Sequence, residues 1–242
     1  MEGIDIGKDE AVQIAISVLA ISVALGIVFA EPGGMISYPK EFLLFLAPLI
    51  VTVGSGFILH EMAHKLVAIY YGAQARFQMW TQGLIFMLAT SFIGVLFAAP
   101  GAVYIYSNNI NRKQNGLISI AGPLLNVGLA FFFIILEMIA PITQFFSFLY
   151  LLGPGYEGYG MIGGMLHVWR FGAAMNIMLA LFNMIPAFPL DGSKVFAWNK
   201  GIWIMAVLIL LGIGAVVISP AIVFGWGIML LFFSILSKVF FG

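Results

Sequence analysis

The sequence predicts an all-α polytopic membrane protein, with about 6–7 transmembrane helices of about 20 residues each and a short membrane-associated β-strand or hairpin. Three observations predict it. Apolar residues make up 62% of the 242-residue chain and charged residues 8%. The mean hydropathy is +1.10, far above that of a soluble domain. The apolar residues fall into long runs separated by glycine, proline and polar breaks.

The first run, Ala11 to Ala30, follows an acidic head (Glu2, Asp5, Asp9, Glu10, against Lys8). A secretory leader needs a basic start, so this run is expected to be a retained membrane helix. "EPGG" and "SYP" between Glu31 and Lys40 predict a break. A second run from Phe42 to about Tyr71 contains "FILHEMAHKLVAIYYG", with Gly72 as its stop. "AQARFQMWTQG" is polar and aromatic, as at a membrane surface, and leads into Leu84 to Ala99. "GAVYIY" alternates as a strand does, and helix is expected again from Leu117 to about Ala140. Pro141 to Gly164 is a glycine-rich connection, a linker or a substrate gate around residues 153–164. Helix resumes from about Met165 to Met184 and meets "IPAFPLDG", where two prolines cannot continue a regular helix. The runs Ile202 to Ile218 and Ala221 to Phe240 close the chain as a hairpin around Ser219 and Pro220.

The formal net charge is zero, and no basic cluster is present, which excludes a nucleic-acid partner. Without cysteine, disulfides and thiolate metal sites are excluded as well.

The chemistry is concentrated in H-E-M-A-H. His60 and His64 lie one helical turn apart on the same face, so both imidazoles can reach one ion. Glu61 is about 100° round the helix, placed to flank that ion and accept a proton from water. Ionisable groups inside a membrane are costly and mark functional sites. A catalytic zinc site needs a third protein ligand and an open position. Glu137, Glu157, His167 and Asp191 are the candidates for that ligand. Asp191 is preferred because it follows a proline-broken helix end, and non-helical backbone is tolerated at membrane depth only where it lines a protected cavity.

"HEMAH" on one membrane helix, "AGPLLN" on a later one and "NMIPAFPLDG" at the end of a third resemble, in that order, the site-2 protease family of intramembrane zinc metalloproteases. The resemblance covers residues 57–195. It implies that His60, His64 and Asp191 hold one Zn2+ per chain and that Glu61 is the catalytic base. Asn183 would support substrate backbone or the developing oxyanion, and Asn126 of the G-P-x-x-N element would support the site. The whole chain, 1–242, would then be a single transmembrane metalloprotease domain with accessory helices 11–30, 202–218 and 221–240. It would lie in the lipid bilayer of a microbial cell membrane and hydrolyse a membrane-embedded protein or peptide substrate. The competing function is a metal or proton transporter using the same His/His/Asp site.

The run Leu84 to Ala99 departs from the family pattern. The family has a short β-hairpin after the HExxH helix, whereas this run is long enough to span. It is therefore either re-entrant or a rearrangement that makes the two ligand-bearing helices antiparallel.

Overall fold

The computed structural model describes residues 6–96, 100–107, 109–143 and 168–241. Helix α1 spans Lys8–Ser37 and runs through the glycine-containing segment where the sequence suggested a break. The interruption comes at Tyr38 (φ −131°, ψ 62°), because Pro39 bars its predecessor from helical geometry. Helix α2, Pro39–Leu49, continues through a π-helical turn at Ile50–Gly54 into α3, Ser55–Tyr70. Pro48 lies inside α2 and brings no N–H, and the widened turn follows it. Gly72, with φ +78°, lets the chain leave α3 and start a strand.

Strand β1, Gln74–Met79, pairs antiparallel with β2, Gly101–Tyr106, in a register that sets Phe77 opposite Val103 and Met79 opposite Gly101. Helix α4, Thr81–Ser91, lies between them. Its 11 residues extend about 16 Å at 1.5 Å per residue, roughly half of a hydrocarbon core. Because its flanking strands pair with each other, the chain returns to the face it left. The apolar run after the HEMAH helix thus lies between two paired strands and brings the chain back to the ribbon, and β1 is a strand that the surface-like composition of "AQARFQMW" did not announce.

Helix α5, Arg112–Thr143, begins with a reciprocal cap: Asn111 N donates to Gln114 Oε1, and Gln114 N to Asn111 Oδ1, both at 2.9 Å. Then come α6 (Val168–Asn183), α7 (Asp191–Trp198), α8 (Lys200–Val217) and α9 (Pro220–Phe241). Four of the described helical stretches, Lys8–Ala30, Pro39–Tyr70, Arg112–Ile139 and Lys200–Val217, are long and apolar enough to cross a membrane. The chain is an integral membrane protein, and its described residues are mostly helical outside the two-stranded ribbon.

The helix directions follow from the side-chain contacts. Asn126 reaches both His60 and Asn176, while Phe133, farther along α5, stacks on Trp169 at the start of α6. His64, farther along α3, meets Ile118, nearer the start of α5. Helix α5 is therefore antiparallel to both α3 and α6, which run parallel to each other. This overturns the antiparallel alternative.

The buried apolar residues form two main clusters. One joins α1, α2 and α3 to the ribbon and α4, and includes Leu25, Phe45, Phe57, Phe77 and Met87. The other joins α5 to α6 through α9, and includes Phe133, Trp169, Ile177, Leu181 and Trp203. The polar residues of the next subsection sit between them.

Candidate metal centre

Helix α3 presents His60 and His64 with their Nε2 atoms 3.1 Å apart. Asp191 opens α7 after the Pro186–Pro189 segment. It places Oδ2 2.9 Å from His64 Nε2 and 3.2 Å from His60 Nε2. All three side chains are buried. They are the set among the described residues that could hold a metal, with ligand atoms within 4.8 Å of one another.

The hydrogen bonds behind the imidazoles fix what the front atoms are. His64 Nδ1 is 2.7 Å from the Ile118 carbonyl. A carbonyl only accepts, so that nitrogen carries a proton. His60 Nδ1 meets Asn126 Oδ1. The amide orientation is set because Asn126 Nδ2 donates to Gly56 O at 3.2 Å and to Asn176 Oδ1 at 2.8 Å. In the neutral rings both Nε2 atoms therefore bear lone pairs and face a carboxylate oxygen. Three acceptors converging at this distance repel one another unless a proton or a metal ion lies among them. With zinc–ligand bonds of about 2.0–2.1 Å, a tetrahedral site separates its ligand atoms by about 3.3 Å, close to the spacing here. Two imidazoles and a carboxylate are also a donor set that zinc takes. The residues present fit that ion.

Space for the site depends on small residues. A Cβ on Gly122, in the "AGPLLN" segment of α5, would fall 2.6 Å from His60 Nε2, so α5 can approach this close only with glycine there. Asp191 Oδ1, the oxygen turned from the imidazoles, lies 3.5 Å from Lys194 Nζ.

Glu61 is buried beside the trio, and its Oε2 accepts a hydrogen bond from the backbone N–H of Val103 at 2.8 Å. Asn126 is fully buried and links the site to α6. Asn183 donates to the Leu179 carbonyl of its own helix at 3.0 Å and, among the described residues, makes no hydrogen bond to the trio. Glu137 lies 11 residues beyond Asn126 on α5, about 16 Å along the axis, and is away from the cluster. Glu157, His167 and residues 153–164 lie outside the described residues.

Asn176 did not stand out in the sequence. Its Nδ2 donates to Thr52 O in the π-turn at 3.2 Å and to Gly172 O at 2.8 Å, and its Oδ1 accepts from Asn126. It fastens the distorted part of the α2–α3 rod to α6. The available signal was an amide in the middle of "FGAAMNIMLALF", a polar group in an apolar helix.

This architecture, a zinc-compatible His/His/Asp cluster at the junction of membrane helices with a glutamate alongside, defines a membrane metalloprotease class. The profile of Peptidase family M50 matches residues 48–203, and the chain belongs to that family, the site-2 protease family of zinc metalloproteases. The "Putative zinc metalloprotease MJ0611" of Methanocaldococcus jannaschii is 41% identical over 205 residues, covering 84% of this chain and 91% of the relative. "Zinc metalloprotease MJ0392" of the same organism is 27% identical over 152 residues, 63% of this chain and 34% of that longer protein. The Bacillus subtilis "Putative zinc metalloprotease YwhC" is 25% identical over 170 residues, 65% of this chain and 70% of its own. No solved structure matches the chain significantly. The protein is a zinc metalloprotease, and the transporter reading gives way.

Proposed function

We propose that the whole chain acts as one intramembrane protease in which His60, His64 and Asp191 hold the zinc and Glu61 is the general base. The observation that carries this reading is the convergence of three lone-pair-bearing atoms whose outer sides are already committed. Both Nδ1 positions are spent on Asn126 and Ile118, leaving the three inner atoms to one cation.

Bound zinc supplies Lewis acidity, which polarises a peptide carbonyl and makes water a ready proton donor near neutral pH. The remaining work belongs to the chain's own groups. Glu61 takes the proton from the attacking water and delivers it to the leaving amide nitrogen. Val103 N–H holds Glu61 Oε2 and leaves Oε1 for proton transfer. Asn126 keeps the His60 ring turned so that Nε2 faces inward. Asn183 is the proposed support for substrate backbone or the oxyanion, which requires its amide to leave the Leu179 carbonyl when substrate arrives.

The substrate is a membrane-embedded protein or peptide. A helical substrate hides its carbonyls in its own hydrogen bonds and must be unwound before cleavage. Strand β2 supports this reading because one of its edges is paired with β1 and the other lies beside Glu61. Extended substrate chain can add to that edge as a further strand, and the "PAFPL" segment before Asp191 is a second source of backbone partners.

The test is cleavage of a single-span peptide in lipid vesicles, with products identified by mass spectrometry. The reading expects internal cleavage that stops on chelation and returns with zinc. Intact peptide at one zinc per chain, across a panel of unrelated membrane peptides, would contradict it.

A further inference from the structure

Phe77 and Val103 face each other in the ribbon, and the N–H groups of both end on carboxylates. Val103 N donates to Glu61 Oε2 at 2.8 Å, and Phe77 N donates to Glu10 Oε1 at 2.9 Å. In an antiparallel ladder alternate pairs turn their N–H groups away from each other. This rung is such a pair, so each glutamate sits at one outer edge of the ribbon.

Glu10 and Lys65 form a buried ion pair, 3% and 2% exposed, with Lys65 Nζ 2.7 and 2.8 Å from the two carboxylate oxygens. Lys65 directly follows the metal-site histidine His64. One carboxylate thus ties α1, the HEMAH helix and β1 together. Gln13 extends the contact by accepting from Met79 N at 2.9 Å, and Ser17 Oγ reaches Pro100 O at 3.4 Å. Positions 10, 13 and 17 share one face of α1, which lies where a third strand would lie against β1. The outer edge of β2 is the side of the ribbon turned to Glu61, which takes the Val103 N–H. Glu10 lies outside the residues matched by the family profile, 48–203.

Satisfying one backbone N–H does not require a buried carboxylate. A buried ion pair is also weak support for stability compared with apolar packing, and its best-attested use is to fix register. We propose that Glu10, held by Lys65, is a positioning residue that sets the Phe77–Val103 rung at the depth where Val103 N–H reaches Glu61. The proposal rests on Glu61 as the base. The ribbon contacts the site from its edge, so a shift of about 1 Å breaks the Val103–Glu61 bond, and misplacement of that size can cost on the order of 100-fold in rate.

The test compares two double variants of the full chain in vesicles, so that neither keeps the Glu10 or the Lys65 charge without the other. Glu10→Gln with Lys65→Met retains a side-chain carbonyl for Phe77 N–H, whereas Glu10→Ala with Lys65→Met removes it. kcat, KM and zinc content are measured on the same single-span peptide. The expected result is kcat within about 3-fold of wild type for the Gln/Met variant. For the Ala/Met variant a fall of about 10-fold or more is expected, with KM changing less than kcat and one zinc per chain retained. Equal kcat in the two variants, or zinc lost from the Ala/Met variant, overturns the proposal. Glu61→Gln is assayed alongside: turnover persisting there would remove the base reading itself, independently of Glu10.

Discussion

The Nδ1 proton of His60 is held by the carboxamide oxygen of Asn126, a fully buried side chain on the neighbouring helix. The contact fixes both the tautomer and the orientation of the ring. It also continues through Asn176 to the backbone of the π-turn, so the His60 ring on α3 is braced by α5 and α6 together. The widened turn follows Pro48, and its Thr52 carbonyl is satisfied by Asn176. A distortion in the helix is thereby joined to His60 by two amides.

Replacing Asn126 with alanine leaves the His60 Nδ1–H buried without its partner and the ring free to turn. Loss of such an outer partner lowers metal affinity by about 10- to 100-fold. Zinc competition against a chromogenic chelator is expected to show a loss in that range, with one zinc still bound at saturation. Unchanged affinity would mean that packing alone orients the ring.

Gly122→Ala places a methyl group 2.6 Å from the His60 ring, closer than side chains approach. His60 must then move, or α5 must back away from α3. Either response separates Nε2 from the other two ligand atoms, so zinc is expected to fall well below one per chain. Gly128→Ala is the control on the same helix, because its added methyl meets nothing within 4 Å. It should retain zinc and gain up to about 1 kcal/mol from helix propensity.

Lys65→Met by itself strands the Glu10 carboxylate in an apolar interior. Breaking a buried pair from one side costs about 3–5 kcal/mol, whereas removing both charges costs much less. Detergent unfolding curves are expected to show a large loss for the single variant and recovery of most of it on adding Glu10→Gln. Equal losses in the single and double variants would show that the pair carries no buried-charge penalty.

The residues that converge at the candidate metal centre were legible in the sequence because their pattern is local. Two histidines four apart specify one face of a helix, and an aspartate after two prolines stands at a helix start. Strand "GAVYIY" was legible through its alternation. Its partner β1 was not, because "QARFQM" mixes long polar side chains with one fully buried apolar residue, Phe77, and a half-buried Met79 on the same face. Leu84 to Ala99 had the length of a span, and only the pairing of the strands that flank α4 reveals its return. Glu10 read as part of an acidic head, yet its partner is Lys65, 55 residues away. Asn176 likewise takes its meaning from Thr52 and Asn126, on two other helices. Contacts of that range leave no spacing to read.

If Glu61 is the base beside a zinc that other residues hold, metal binding and turnover must separate on its replacement. The most direct measurement is Glu61→Gln, scored for zinc by elemental mass spectrometry and for cleavage of the single-span peptide in the same preparation. The substituted carboxamide keeps the size of the side chain and an oxygen that can accept from Val103 N–H, but it cannot carry the proton. The predicted result is one zinc per chain, as in wild type, with turnover reduced by at least about 100-fold, the lower end of what a positioned acid–base group contributes. Turnover near the wild-type rate with zinc bound would contradict Glu61 as the base.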